Sequence, residues 1–105
     1  MDPSSHQVRS ADGTIIPFWC SGQGRPLLLV HGAGGDHRMW DGMRPYLEPR
    51  VMVVAMDRRS TFGDPHERYT LEREFEDIAT VAATFAEPFD LLGWSSGAIC
   101  ALGAA

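Results

Sequence analysis

Gly93-Trp94-Ser95-Ser96-Gly97 sets a serine between two glycines, directly after the apolar run Phe89–Leu92 and before the helix-compatible stretch 96–105. A serine on a tight strand-to-helix turn sits in a strained backbone conformation, and its hydroxyl is pushed out at the carboxyl end of the sheet, where open α/β sheets bind ligands. Glycines are required on either side because side chains there would collide with the neighbouring strand and helix. The chemistry this permits is nucleophilic attack by Ser95 on an acyl carbon. The backbone N–H of Ser96, at the helix start, would point at the oxyanion that develops. The competing reading is a plain glycine turn with two solvated serines, and the strand-like and helix-like flanks argue against it.

A second glycine loop, His31-Gly32-Ala33-Gly34-Gly35, follows the apolar run Leu27–Val30. Glycines after a strand let backbone amides approach a substrate oxygen, and the N–H of Ala33 is the expected donor. A phosphate loop would end in Gly-Lys-Ser/Thr or space its glycines as Gly-x-Gly-x-x-Gly, and this segment does neither. His31 is read as a hydrogen-bonded, loop-shaping histidine rather than a base. Trp40 and Trp94 either line an acyl pocket or pack as ordinary aromatics.

These segments need a scaffold. Ala11-Asp12-Gly13 between extended runs at 7–10 and 14–20 predicts a hairpin. Residues 21–26 are turn-rich. Leu27–Val30, Val51–Met56 and Phe89–Leu92 are short, wholly apolar runs that suit strands buried on both faces. Asp36 is expected to cap a short helix carrying Met39, Trp40, Met43 and Leu47, limited by Pro45. Thr70 is expected to cap a helix whose apolar face is Leu71, Phe75, Ile78, Ala82 and Phe85, stopping before Pro88. A last apolar helix runs over Ser96–Ala105. Residues 58–69 are polar and irregular. Strands alternating with helices predict an α/β fold: a three-layer sandwich, mostly parallel, with an N-terminal antiparallel hairpin.

The 105 residues make one domain at most, with 44% apolar and 22% charged residues and a net charge of -5. That charge argues against nucleic acid or an anionic membrane as the main partner, since both need a basic patch. No apolar run approaches the ~20 residues of a membrane span. The start of the chain lacks a signal pattern. Cys20 and Cys100 fit neither a metal spacing nor a disulfide framework and are expected to be buried free thiols. A cytoplasmic setting is the expectation.

With these segments in hand, the chain resembles the N-terminal part of the α/β-hydrolase fold superfamily, among its esterase, lactonase and haloperoxidase-like serine hydrolases. The matching residues are Leu27–Gly35, the strand ending Met56-Asp57-Arg58-Arg59, and Gly93–Gly97. The resemblance implies that residues 1–105 are the N-terminal part of one α/β-hydrolase domain, about the first 40% of a member of roughly 250 residues. It implies Ser95 as nucleophile and the amides of Ala33 and Ser96 as the oxyanion hole. It implies no metal and no organic cofactor, and a small-molecule acyl substrate. Serine, not aspartate, at the elbow argues for acyl-ester chemistry over dehalogenase or epoxide-hydrolase chemistry.

Two departures stand out. Members usually continue Asp-x-Arg with Gly-x-Gly and a serine, whereas Arg59 is followed by Ser60-Thr61-Phe62-Gly63, about two residues shorter. The family order is Ser, then Asp or Glu, then His, and residues 96–105 contain no acid and no histidine. His6, His31, His37 and His66 all lie upstream, with His37 and His66 expected to be solvated. The chain alone is therefore expected to be inactive, with the lid and the rest of the triad lying in a C-terminal half. Three readings follow: the front fragment of a serine hydrolase, half of a split enzyme completed by a C-terminal partner, or a non-catalytic remnant. The uncovered edge of strand 89–92 would favour self-association.

Overall fold

The computed structural model describes residues 3–62 and 70–105. His66 and the rest of segment 63–69 lie outside the described residues. Five strands form one sheet: β1 (Ser4–Arg9), β2 (Ile15–Gly22), β3 (Arg25–Val30), β4 (Val51–Met56) and β5 (Asp90–Gly93). Their order is β1-β2-β4-β3-β5. The first two pair as the antiparallel hairpin, and β2 runs antiparallel to β4. β3 pairs in parallel with both β4 and β5, Leu28 standing opposite Val54 on one side and Leu91 on the other.

Apolar residues fill both faces of this sheet, and that produces the layers. On one face Ile16, Phe18, Leu28, Val30, Val54 and Met56 pack against Ile78, Val81, Cys100 and Ala101 of the helices α2 (Leu71–Ala82) and α3 (Ser96–Ala104). On the other, Leu29, Val53 and Ala55 pack against Trp40. The short helical segment here is two pieces: a 3₁₀ turn, His37–Trp40, and one α-turn, α1 (Arg44–Leu47). Asp36 caps the first by accepting from the Arg38 amide. Pro45 lies at the start of α1, where its missing N–H costs nothing, so it begins that turn rather than limiting it.

Thr70 caps α2 through its side chain, accepting from the Arg73 amide. Its buried face is Glu74, Asp77, Ile78, Val81 and Ala82, while Leu71 is 40% exposed. The apolar stripe expected from spacing is therefore rotated, and two acids occupy its inner side. The helix closes at Ala82, and the Thr84 hydroxyl satisfies the Val81 carbonyl just past its end. Phe85 has left the helix but meets Phe18 edge-on at 6.3 Å. β5 is the one strand whose burial falls short of expectation, with Leu92 40% exposed at the open side of the sheet.

Candidate active site

Ser95 follows β5 and precedes α3, with φ 56 and ψ -124. It is the one positive-φ residue other than glycine among the described residues. Such strain persists only where the surroundings force it, and here two glycines do so. A Cβ on Gly97 would lie 2.3 Å from the His31 carbonyl oxygen and 2.4 Å from that of Val30. A Cβ on Gly93 would lie 2.5 Å from the Ala98 Cα. The strand, the turn and the helix can come this close only without side chains. Ser95 is exposed, as the elbow geometry demands.

The elbow faces the first glycine loop. Gly32, Ala33, Gly34, Gly35, Met39, Trp94 and Ser95 line a cleft of about 360 Å³. Trp94 is thus a wall of the cleft, whereas Trp40 is buried in the core below. The Ala33 amide reaches across to the elbow and donates to Ser96 Oγ at 3.0 Å. A larger apolar groove, about 670 Å³, lies between the end of α2, Phe89 and Ala104, and holds no nucleophile.

His31 is fully buried and shapes the loop, as its sequence context predicts. The Arg58 amide donates to its Nε2 at 3.0 Å. That fixes the tautomer, leaving Nδ1–H to donate to the Gly32 carbonyl at 2.7 Å. Thr61 Oγ1 lies 2.9 Å from the same Nε2. Burial pushes the His31 pKa below its ordinary value, the Gly32 hydrogen bond opposing this, so the ring is neutral. His37 is not the solvated residue expected: its ring stacks on Trp19 at 3.4 Å, and both its amide and Nδ1 lie 2.8 Å from Asp57 Oδ1. Asp57, at the exit of β4, therefore anchors the far end of the loop.

Two adjacent arginines diverge behind the site. Arg58 is 4% exposed and forks onto Glu74, with Nε–Oε1 at 2.8 Å and Nη2–Oε2 at 2.5 Å. Its Nη1 also donates to the His31 carbonyl at 3.2 Å and to Ser96 Oγ at 2.8 Å. Arg59 is fully buried and forks onto Asp77, both contacts at 2.7 Å. Sequence reasoning missed these pairs. The available signal was two acids on the inner face of a helix, together with a double arginine at a strand end. The Cys100 thiol lies 3.4 Å from Glu74, and burial, then the carboxylate charge, pushes its pKa up to about 11. That makes it an inert packing group. Cys20 is also a free thiol, half-buried rather than buried.

No side chain among the described residues hydrogen-bonds the Ser95 hydroxyl. No helix there is long and apolar enough to cross a membrane.

Residues 27–105 match the model of the alpha/beta hydrolase family. A pimeloyl-[acyl-carrier protein] methyl ester esterase of Legionella pneumophila is 33% identical over 81 residues, covering 76% of this chain and 31% of that protein. An alpha/beta hydrolase crystal structure from Sphaerobacter thermophilus superposes with TM-score 0.83 at 35% identity, covering 94% of this chain and 39% of that one. An esterase from Rhodococcus sp. superposes with TM-score 0.84 at 28% identity, with 99% and 40% covered. The chain spans about a third of the length of that curated esterase. A glycine-flanked serine held at positive φ, a glycine loop facing it and this family match agree: the chain belongs to the alpha/beta hydrolase family.

Proposed function

We propose that these residues carry the nucleophile and the oxyanion donors of a serine hydrolase that cleaves a carboxylic ester or similar acyl bond. Ser95 is the nucleophile. The amides of Ala33 and Ser96 hold the tetrahedral oxyanion. The observation that carries this reading is the Ser95 backbone, φ 56 between two glycines that admit no Cβ. Such strain at an exposed hydroxyl beside a cleft has a use in nucleophilic attack and none in packing. The esterases among the relatives support the acyl-bond class. Free thiols at Cys20 and Cys100 are in keeping with a reducing, cytoplasmic setting.

An unassisted serine is a poor nucleophile near neutral pH. No histidine or carboxylate among the described residues hydrogen-bonds the Ser95 hydroxyl, so the 105 residues alone are proposed to be inactive. The base and acid would come from further family sequence or from a separate complementing half. A second reading, a non-catalytic remnant acting through partner binding or self-association, draws on the apolar side chains exposed along β5 and α3: Leu92, Ile99 and Leu102.

The test is labelling with a serine-reactive fluorophosphonate, read by intact mass. The chain and its Ser95→Ala variant are compared, each alone and with a complementing C-terminal half from a relative. Labelling of the wild type in the complemented sample, and its loss in Ser95→Ala, is the expected result. Labelling that survives Ser95→Ala, or no labelling of a folded, complemented protein, would remove Ser95 as nucleophile.

A further inference from the structure

The Ala33 amide is already engaged. It donates to Ser96 Oγ at 3.0 Å, within the roughly 2.7–3.1 Å at which an oxyanion-hole donor meets its oxyanion. The Ser96 hydroxyl oxygen therefore stands, relative to Ala33, where an acyl oxygen would have to stand. Arg58 Nη1 donates to the same oxygen at 2.8 Å. Its guanidinium is buried and braced by Glu74 and by the His31 carbonyl. One cation thus touches the glycine loop and the elbow together, and fixes the hydroxyl between them.

We propose that Ser96 Oγ is a self-cap on the oxyanion site, retained by Arg58, and that a substrate oxygen enters by displacing it. This rests on the assignment of Ala33 to the oxyanion hole. Displacement needs only rotation of the Ser96 side chain. One hydrogen bond at Ala33 replaces another, and no covalent bond changes. The incoming oxygen then meets the Ala33 N–H with the Arg58 guanidinium behind it. A charged acceptor gains more from such donors than a neutral hydroxyl does. The cap therefore yields most readily to a carboxylate or a developing oxyanion, and least readily to water or an alcohol. Arg58 is a positioning residue in this scheme, and Ser96 decides which oxygens gain entry.

The experiment is amide NMR of the ¹⁵N-labelled 105-residue chain in a Ser95→Ala background, titrated with acetate and read at Ala33. Ser96→Ala should raise the hydrogen-exchange rate of the Ala33 amide and tighten acetate binding, each by about fivefold or more. Ser96→Thr keeps a hydroxyl and should behave like the parent. Arg58→Lys, which keeps the charge but not the fork, should fall between them. Unchanged exchange at Ala33 in Ser96→Ala overturns the proposal. So does acetate binding that is equal or weaker, or that never shifts the Ala33 amide. Nothing here depends on Ser95 reactivity. Failed fluorophosphonate labelling of the folded, complemented protein beside a normal acetate response would therefore sink the nucleophile and leave the cap standing.

Discussion

The two edges of the sheet are finished to different standards. At the β1–β2 edge, the Asp12 carboxylate in the hairpin turn accepts from Arg59 at 2.8 Å and 3.1 Å. Asp77 of α2 takes the other side of the same guanidinium, and Ser10 donates to Asp77 at 2.5 Å. The hairpin, the strand exit and the helix are thus bolted together by buried, fully partnered charge. At the β5 edge the corresponding ion pair, Arg25–Asp90, is more than half exposed on both sides. Beyond it Leu92 is 40%, Ile99 60% and Leu102 80% exposed. An ion pair in solvent contributes about 0–1 kcal/mol, whereas breaking a buried one by removing a partner costs about 3–5 kcal/mol. The first edge is specified by directional contacts, and the second by apolar surface that fixes no partner. The glycine-flanked elbow lies on the less specified side.

The difference can be broken most directly at Asp77. Asp77→Ala leaves the buried Arg59 guanidinium without its bidentate partner and should lower stability by about 3–5 kcal/mol in urea unfolding. A loss below about 1 kcal/mol would mean the bolted edge is no stronger than an exposed one. Acid offers a gentler probe. Hydrogen bonding from Arg59, foremost, holds the Asp12 carboxyl well below its ordinary value of 3.8. A carboxyl with a depressed native pKa stabilises the fold fully above its unfolded value, and that contribution is lost as pH falls through the native value. The urea midpoint should therefore drop on going from pH 5 to about pH 3, with a shallower slope in Asp12→Asn. A variant as steep as the wild type would place the acid sensitivity elsewhere. The smallest effect belongs to the open edge. Leu102→Gln should change stability by no more than about 0.5 kcal/mol. A loss above about 1 kcal/mol, with a drop in scattering mass, would show that a second copy covers this face.

Much of the scaffold is legible residue by residue, because its signals are local. Val51–Met56 reads as an unbroken apolar run and forms that strand. Thr70 and Asp36 cap where a short acceptor side chain precedes a helical pattern. The elbow is legible for a related reason, since its glycines are demanded by close backbone approach. The charged layer beneath it is not. Glu74 and Asp77 look like the polar side of a helix until Arg58 and Arg59 come to meet them, and that meeting is set by the tertiary fold. The rotated face of α2 has the same cause: Glu74 and Asp77 turn inward because Arg58 and Arg59 meet them there. The Ser96 contact was hidden too, because serine spacing cannot say which donor a hydroxyl will face.

Parallel pairing of β3 with β5 has a consequence for timing. Ala33 and Ser96 stand 63 residues apart in the chain, yet their contact exists only when those strands are in register. Closing a loop of that length costs roughly 4 kcal/mol of chain entropy before any contact repays it. Contacts of high sequence separation are slow to form. The hairpin and the caps can be made early and cheaply, but the pairing of loop and elbow cannot. The juxtaposition of glycine loop and elbow is therefore among the last things the molecule acquires as it folds, and a nascent chain holds the two apart until β5 docks.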